Sequence, residues 1–140
     1  MMLADSAQAV AGKLYVLGGG WSITGPEPAP SAIAIKLDVP WDRAEETHHW
    51  MLTLVDADGA PVLLPASEDE QQPLRLEGEI EVMRVAESAP GIPLDWAMAI
   101  NIGPLPLLPG KRYVWELSID GESRPDWHLA FSTRPAPPDG

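Results

Sequence analysis

The stretch that most constrains the fold is LPGKRYVWELSIDGE, residues 108–122. Pro109-Gly110 makes a turn. Tyr113, Trp115, Leu117 and Ile119 then alternate with Arg112, Val114, Glu116, Ser118 and Asp120. A period of two describes a strand with one buried face. Asp120-Gly121 closes the strand with a hairpin signal, because both residue types tolerate the positive φ of a tight turn. Leu-Pro-Gly with a tyrosine three residues after the glycine also resembles a tyrosine corner, in which the phenol bonds to upstream backbone and fixes a crossover. The alternative is an ordinary turn followed by a core tyrosine.

The same grammar runs through most of the chain. Residues 2–10 read either as a capped helical turn or as a short strand. KLYVLGGGWSI reads as a strand interrupted by Gly18, Gly19 and Gly20, which mark a bulge or a close approach. GPEPAP is a stiff loop. SAIAIKLDV alternates, with Ile33, Ile35, Leu37 and Val39 inward and Ala34, Lys36 and Asp38 outward. HHWMLTLV puts Trp50, Leu52 and Leu54 on one face. Asp56–Gly59 is a hairpin turn, PVLL a short returning strand, and residues 66–73 an acidic loop. LRLEGEIEVMRV alternates most sharply, with Leu74, Leu76, Ile80 and Val82 opposite Arg75, Glu77, Glu79 and Glu81. Residues 86–93 are a loop. LDWAMAINI and DWHLAFST are further strands, with Trp96, Trp127, Leu129 and Phe131 on core faces.

Eight or nine short strands separated by Pro/Gly turns, without an amphipathic helix, predict an all-β fold. The expected form is a single antiparallel β-sandwich, Greek-key and immunoglobulin-like, with a jelly roll as the alternative. Its expected extent is residues 1–134, with residues 135–140 a disordered tail.

Composition enters as a filter on function. Cysteine is absent, which removes disulfides and thiolate chemistry and suits a reducing compartment. No apolar run reaches the length of a membrane span, and no basic leader precedes one. The expected location is cytoplasmic. Nine basic against 21 acidic residues give a net charge of −12, which repels nucleic-acid phosphate and anionic membrane.

Ala4-Asp5, Gly12-Lys13-Leu14, Gly18-Gly19-Gly20-Trp21, Pro40-Trp41, His48, Leu54-Val55-Asp56, Asp58-Gly59 and Pro109-Gly110 with Tyr113 and Trp115 form a set of short patterns over most of the chain. In these the chain resembles a family of short uncharacterised bacterial proteins, a domain of unknown function. In such relatives the residue before Gly12 is often Asn, where this chain has Ala11. The resemblance implies a β-sandwich and carries no chemistry.

Chemistry-bearing constellations are sparse. Gly18–Trp21 lacks the spacing and following helix of a phosphate loop. His48 and His49 are strand neighbours on opposite faces, so a metal site would need His128 and Asp126 to join one of them. Asp56 and Asp58 fall short of the six to eight oxygens calcium takes, and Glu68, Asp69 and Glu70 read as a solvated loop. Glu77, Glu79 and Glu81 form an exposed comb that discourages edge pairing. No catalytic, metal or cofactor-binding residue emerges. Trp21 and Trp41 sit at strand ends, where they either plug the core or anchor an interface; they are the candidate interaction residues.

The expectation is a non-enzymatic binding module for a protein partner or for itself, without nucleic acid, membrane or cofactor. A small-ligand or carbohydrate binder using one end of the sandwich is the alternative. A His-based metal protein or hydrolase is the third.

Overall fold

The computed structural model describes residues 1–65, 69–84 and 90–138. Its strands are β1 (Met2–Ala4), β2 (Ser6–Val10), β3 (Lys13–Leu17), β4 (Ile23–Thr24), β5 (Ser31–Val39), β6 (Thr47–Asp56), β7 (Leu63–Pro65), β8 (Gln71–Pro73), β9 (Arg75–Glu81), β10 (Leu94–Ile102), β11 (Arg112–Ile119) and β12 (Glu122–Thr133). Apart from a 3₁₀ turn at Trp41–Arg43, every regular element among the described residues is a strand.

The expectation of all-β structure holds, but eight or nine strands in a single sandwich does not. Among the described residues twelve strands form four sheets: β1-β5-β10, β4-β12-β11-β6-β9, and the two hairpins β2-β3 and β7-β8. The pairing is also not wholly antiparallel, since β4 runs parallel to the end of β12. Three local causes raise the strand count. Residues 2–10 form two strands that break at Asp5, whose N–H turns to the carbonyls of Leu17 and Gly18. The three glycines end β3 instead of bulging it, with positive φ at Gly18 and Gly20. Gln71–Pro73, expected in a loop, pairs with β7. The rest of that loop's start, residues 66–68, lies outside the described residues, as do residues 85–89 and the tail's last two.

The three- and five-stranded sheets share one core. Leu3, Ile33 and Ile35 from the first meet Leu52, Leu54, Trp115, Leu117 and Phe131 from the second. Trp115 is 1% exposed, so the alternation read from its strand has the right phase. The tyrosine corner forms: the Tyr113 hydroxyl accepts a hydrogen bond from the Leu108 N–H at 3.0 Å. Asp120 and Gly121 both take positive φ in a two-residue turn between Ile119 and Glu122. The comb is solvent-facing as expected, with Arg75, Glu77, Glu79 and Glu81 all exposed.

Ala34 departs from the expected pattern: it faces away from the main core yet is only 2% exposed. The β2-β3 hairpin folds over that outer face and packs Ala7, Leu14 and Val16 against Ala4, Ala32 and Ala34. Small side chains permit this second layer by letting the backbones approach closely. Asn101 pins the hairpin, accepting from Ala7 N–H at 3.3 Å and donating to Ala7 O at 2.8 Å.

Candidate ligand cleft

β1 is three residues long, whereas β12 in the facing sheet has twelve. Sheet β1-β5-β10 is therefore one strand short over the first half of β12. A cleft of about 300 Å³ opens there, between the end of β5, the end of β11 and the start of β12. Leu37, Val39, Ile80, Ile119 and Trp127 supply its apolar surface. Asp38, Arg43, His48, Asp120, Glu122 and Arg124 supply its polar groups.

His48 is the second residue of β6 and points inward, 7% exposed. Its Nε2–H donates to the Arg43 carbonyl at 2.9 Å, and its Nδ1–H donates to Asp120 Oδ2 at 2.7 Å. A carbonyl and an ionised carboxylate can only accept, so both ring nitrogens carry protons and the imidazole is cationic in this arrangement. The Arg43 carbonyl, and after it the Asp120 carboxylate, hold His48 above its ordinary value of 6.5. The His48 hydrogen bond, and after it the His49 N–H, hold the Asp120 carboxyl below its ordinary value of 3.8. Asp120 thus has two roles. Its backbone makes the β11-β12 turn, and its side chain binds His48, His49 N–H at 2.9 Å and Arg43 at 3.5 Å.

Asp120 is legible in sequence only as a turn residue. The register that pairs Ile119 with Trp50 carries it to the start of β6, and no local signal announces that pairing. Trp127, expected on a core face, packs half-buried against the main core and also forms part of the cleft wall, where the Arg124 guanidinium lies 5.2 Å above its ring.

Trp21 and Trp41 are not brought together. Trp21 packs edge-on against Phe131, with ring centroids 6.2 Å apart, near the start of β11. Its indole N–H is buried without an acceptor among the described residues, beside a space of about 30 Å³. Trp41 lies beyond the other end of β5, under the Arg84 guanidinium at 4.8 Å. Arg84 also donates to the Trp41 carbonyl at 2.8 Å. One site using both tryptophans is therefore excluded by their placement at opposite ends of the main sheets.

The histidines are likewise dispersed. His49 points outward beside Glu77 at 3.4 Å. His128 lies on the outer face of β12 beside Ser123, also at 3.4 Å. Among the described residues no three His, Asp or Glu side chains gather as metal ligands. Among the described residues no helix is long and apolar enough to cross a membrane.

The sequence profile of a family of unknown function, DUF6941, matches residues 1–131. The chain belongs to that family. No curated protein and no solved structure matches the chain. The DUF6941 match spans β1 through most of β12, so every wall of the cleft falls within it.

Proposed function

We propose that this DUF6941 chain is a non-enzymatic, cytoplasmic binding module with an immunoglobulin-like, Greek-key core, and that its ligand is a protein seated in the cleft beside β5. The observation that carries this reading is the cleft itself. An apolar surface converging with two guanidiniums, a cationic imidazole and three carboxylates is the composition of a recognition site. The shared core of the two larger sheets and the tyrosine corner support the sandwich assignment. The lack of cysteine supports a reducing compartment. The net charge of −12 favours a basic partner over nucleic acid or anionic membrane.

A small-ligand binder is the second reading, favoured by the cleft volume of about 300 Å³, at the lower end of the range such ligands occupy. A photocrosslinking residue placed at Arg124, with one at Glu79 on the outer comb as control, tests the proposal in extract of the native host. A protein adduct from position 124 and none from 79 is expected. No adduct at 124, or equal adducts at both, overturns it.

A further inference from the structure

The backbone bordering the cleft carries more information than the side chains lining it. Met2, Leu3 and Ala4 of β1 pair with Ala34, Ile33 and Ala32 of β5. The Leu3 carbonyl accepts from Gly20 N–H at 2.7 Å, outside the sheet. The bonds from β1 to β5 therefore fall on Met2 and Ala4, opposite Ala34 and Ala32. Along an antiparallel strand the N–H and C=O groups of alternate residues point to the same side. Lys36 and Asp38 thus aim their backbone groups at the edge that β1 covers further back, while Ile35, Leu37 and Val39 bond across to β10.

Beyond Met2, nothing among the described residues pairs with Lys36 or Asp38 on that edge. The facing edge, on β12, is guarded. Pro125 removes one donor there, and Glu122, Arg124 and Asp126 surround it. The edge of β5 has no proline before Pro40, and the Lys36 side chain is held by Asp38 at 3.1 Å and Asp95 at 2.9 Å.

We infer that the cleft takes an extended segment of a partner polypeptide, which adds antiparallel to β5 in line with β1 and pairs with the backbone of Lys36 and Asp38. This rests on the reading of the cleft as a protein-binding site. An extended backbone matches the exposed row of donors and acceptors, and alternate side chains of the segment would turn onto Leu37, Ile119 and Trp127. The recognised segment is apolar at alternate positions, free of proline between them, and carried on a basic protein. A second copy of this chain is the poorer occupant, because two chains of −12 would have to meet edge to edge.

The edge can be tested before a partner is known. A Val-Thr-Val-Thr extension placed before Met1 continues β1 along β5 with its valines opposite Val39 and Leu37, and tethering raises its local concentration to the millimolar range, so little intrinsic affinity is needed. Hydrogen exchange should slow at least tenfold at the Lys36 and Asp38 amides, with Ile35 and Leu37 unchanged. Adding Lys36→Pro, which removes only the outward donor, should abolish the Asp38 protection while the near-ultraviolet tryptophan spectrum is retained. Should the extended chain fail to fold, the peptide Lys-Val-Thr-Val-Thr-Val added in trans at millimolar concentration replaces it. Unchanged exchange at both amides overturns the inference.

The extended chain should also lose the adduct formed from position 124. If the edge is protected and the adduct persists undiminished, strand addition is overturned while the cleft reading stands. If the unextended chain forms no adduct, the cleft reading fails whatever the edge does.

Discussion

Two residues show how local chemistry sets stability here. Ala11 occupies φ +50 in the two-residue turn that joins β2 to β3. A Cβ in that conformation crowds the following carbonyl, at about 1 kcal/mol or more. Asn tolerates the region better, so Ala11→Asn should raise stability by roughly 0.5–1 kcal/mol, read as a higher denaturant midpoint at constant slope. His48 sets a pH dependence. Its pKa is raised on folding, so its contribution is complete below 6.5 and is lost as pH rises through the folded value. Asp120 has a lowered pKa, so its contribution is present above 3.8 and is lost as pH falls through the folded value. Both act between about pH 4 and 6.5, where the melting temperature should be highest. His48→Gln should flatten the fall on the alkaline side of that window; a slope equal to the parent's would mean that another group titrates there.

At the level of single elements, β11 organises the larger sheet, and its inward face is the part of the core most exposed to mutation. Trp115→Ala should cost about 3–5 kcal/mol, the usual penalty for emptying a large aromatic site. A negligible shift in the thermal melt would contradict its burial at 1% exposure. β9 carries a subtler constraint. Gly78 pairs with Trp50 on β6, and the Trp50 indole lies over it. A Cβ at Gly78 would sit 2.8 Å from the indole nitrogen. Gly78→Ala should therefore destabilise by about 1–3 kcal/mol through overpacking, although alanine is ordinarily harmless in a strand. Unaltered stability would show that the indole swings aside freely.

For the whole molecule, the governing quantity is charge. Glu77, Glu79 and Glu81 lie exposed on one outer face of the larger sheet. Burying an unpartnered carboxylate costs several kcal/mol, and a −12 chain has few cations to offer its own copy. Replacing Glu77 and Glu81 together by Ser should leave any self-association constant unchanged in concentration-dependent light scattering. A shifted constant would put the comb inside an interface.

The sequence by itself determined the class of the fold, the phase of its strands and several of its turns. These depend on interactions within a few residues: side chains alternate with the pleat, and Asp-Gly or Pro-Gly closes a turn wherever it occurs. Trp115, Leu52, Ile80 and the Tyr113 corner were legible for that reason. The number of sheets was not, because an alternating strand has the same pattern whether its outer face meets water or a hairpin, as Ala34 shows. Nor was the cleft legible. It exists because β1 is shorter than β12, and it gains its charged pair because the β6-β11 register lays a turn aspartate beside His48. Lengths compared across two sheets, and partners 72 residues apart, are decided only when the chain closes on itself.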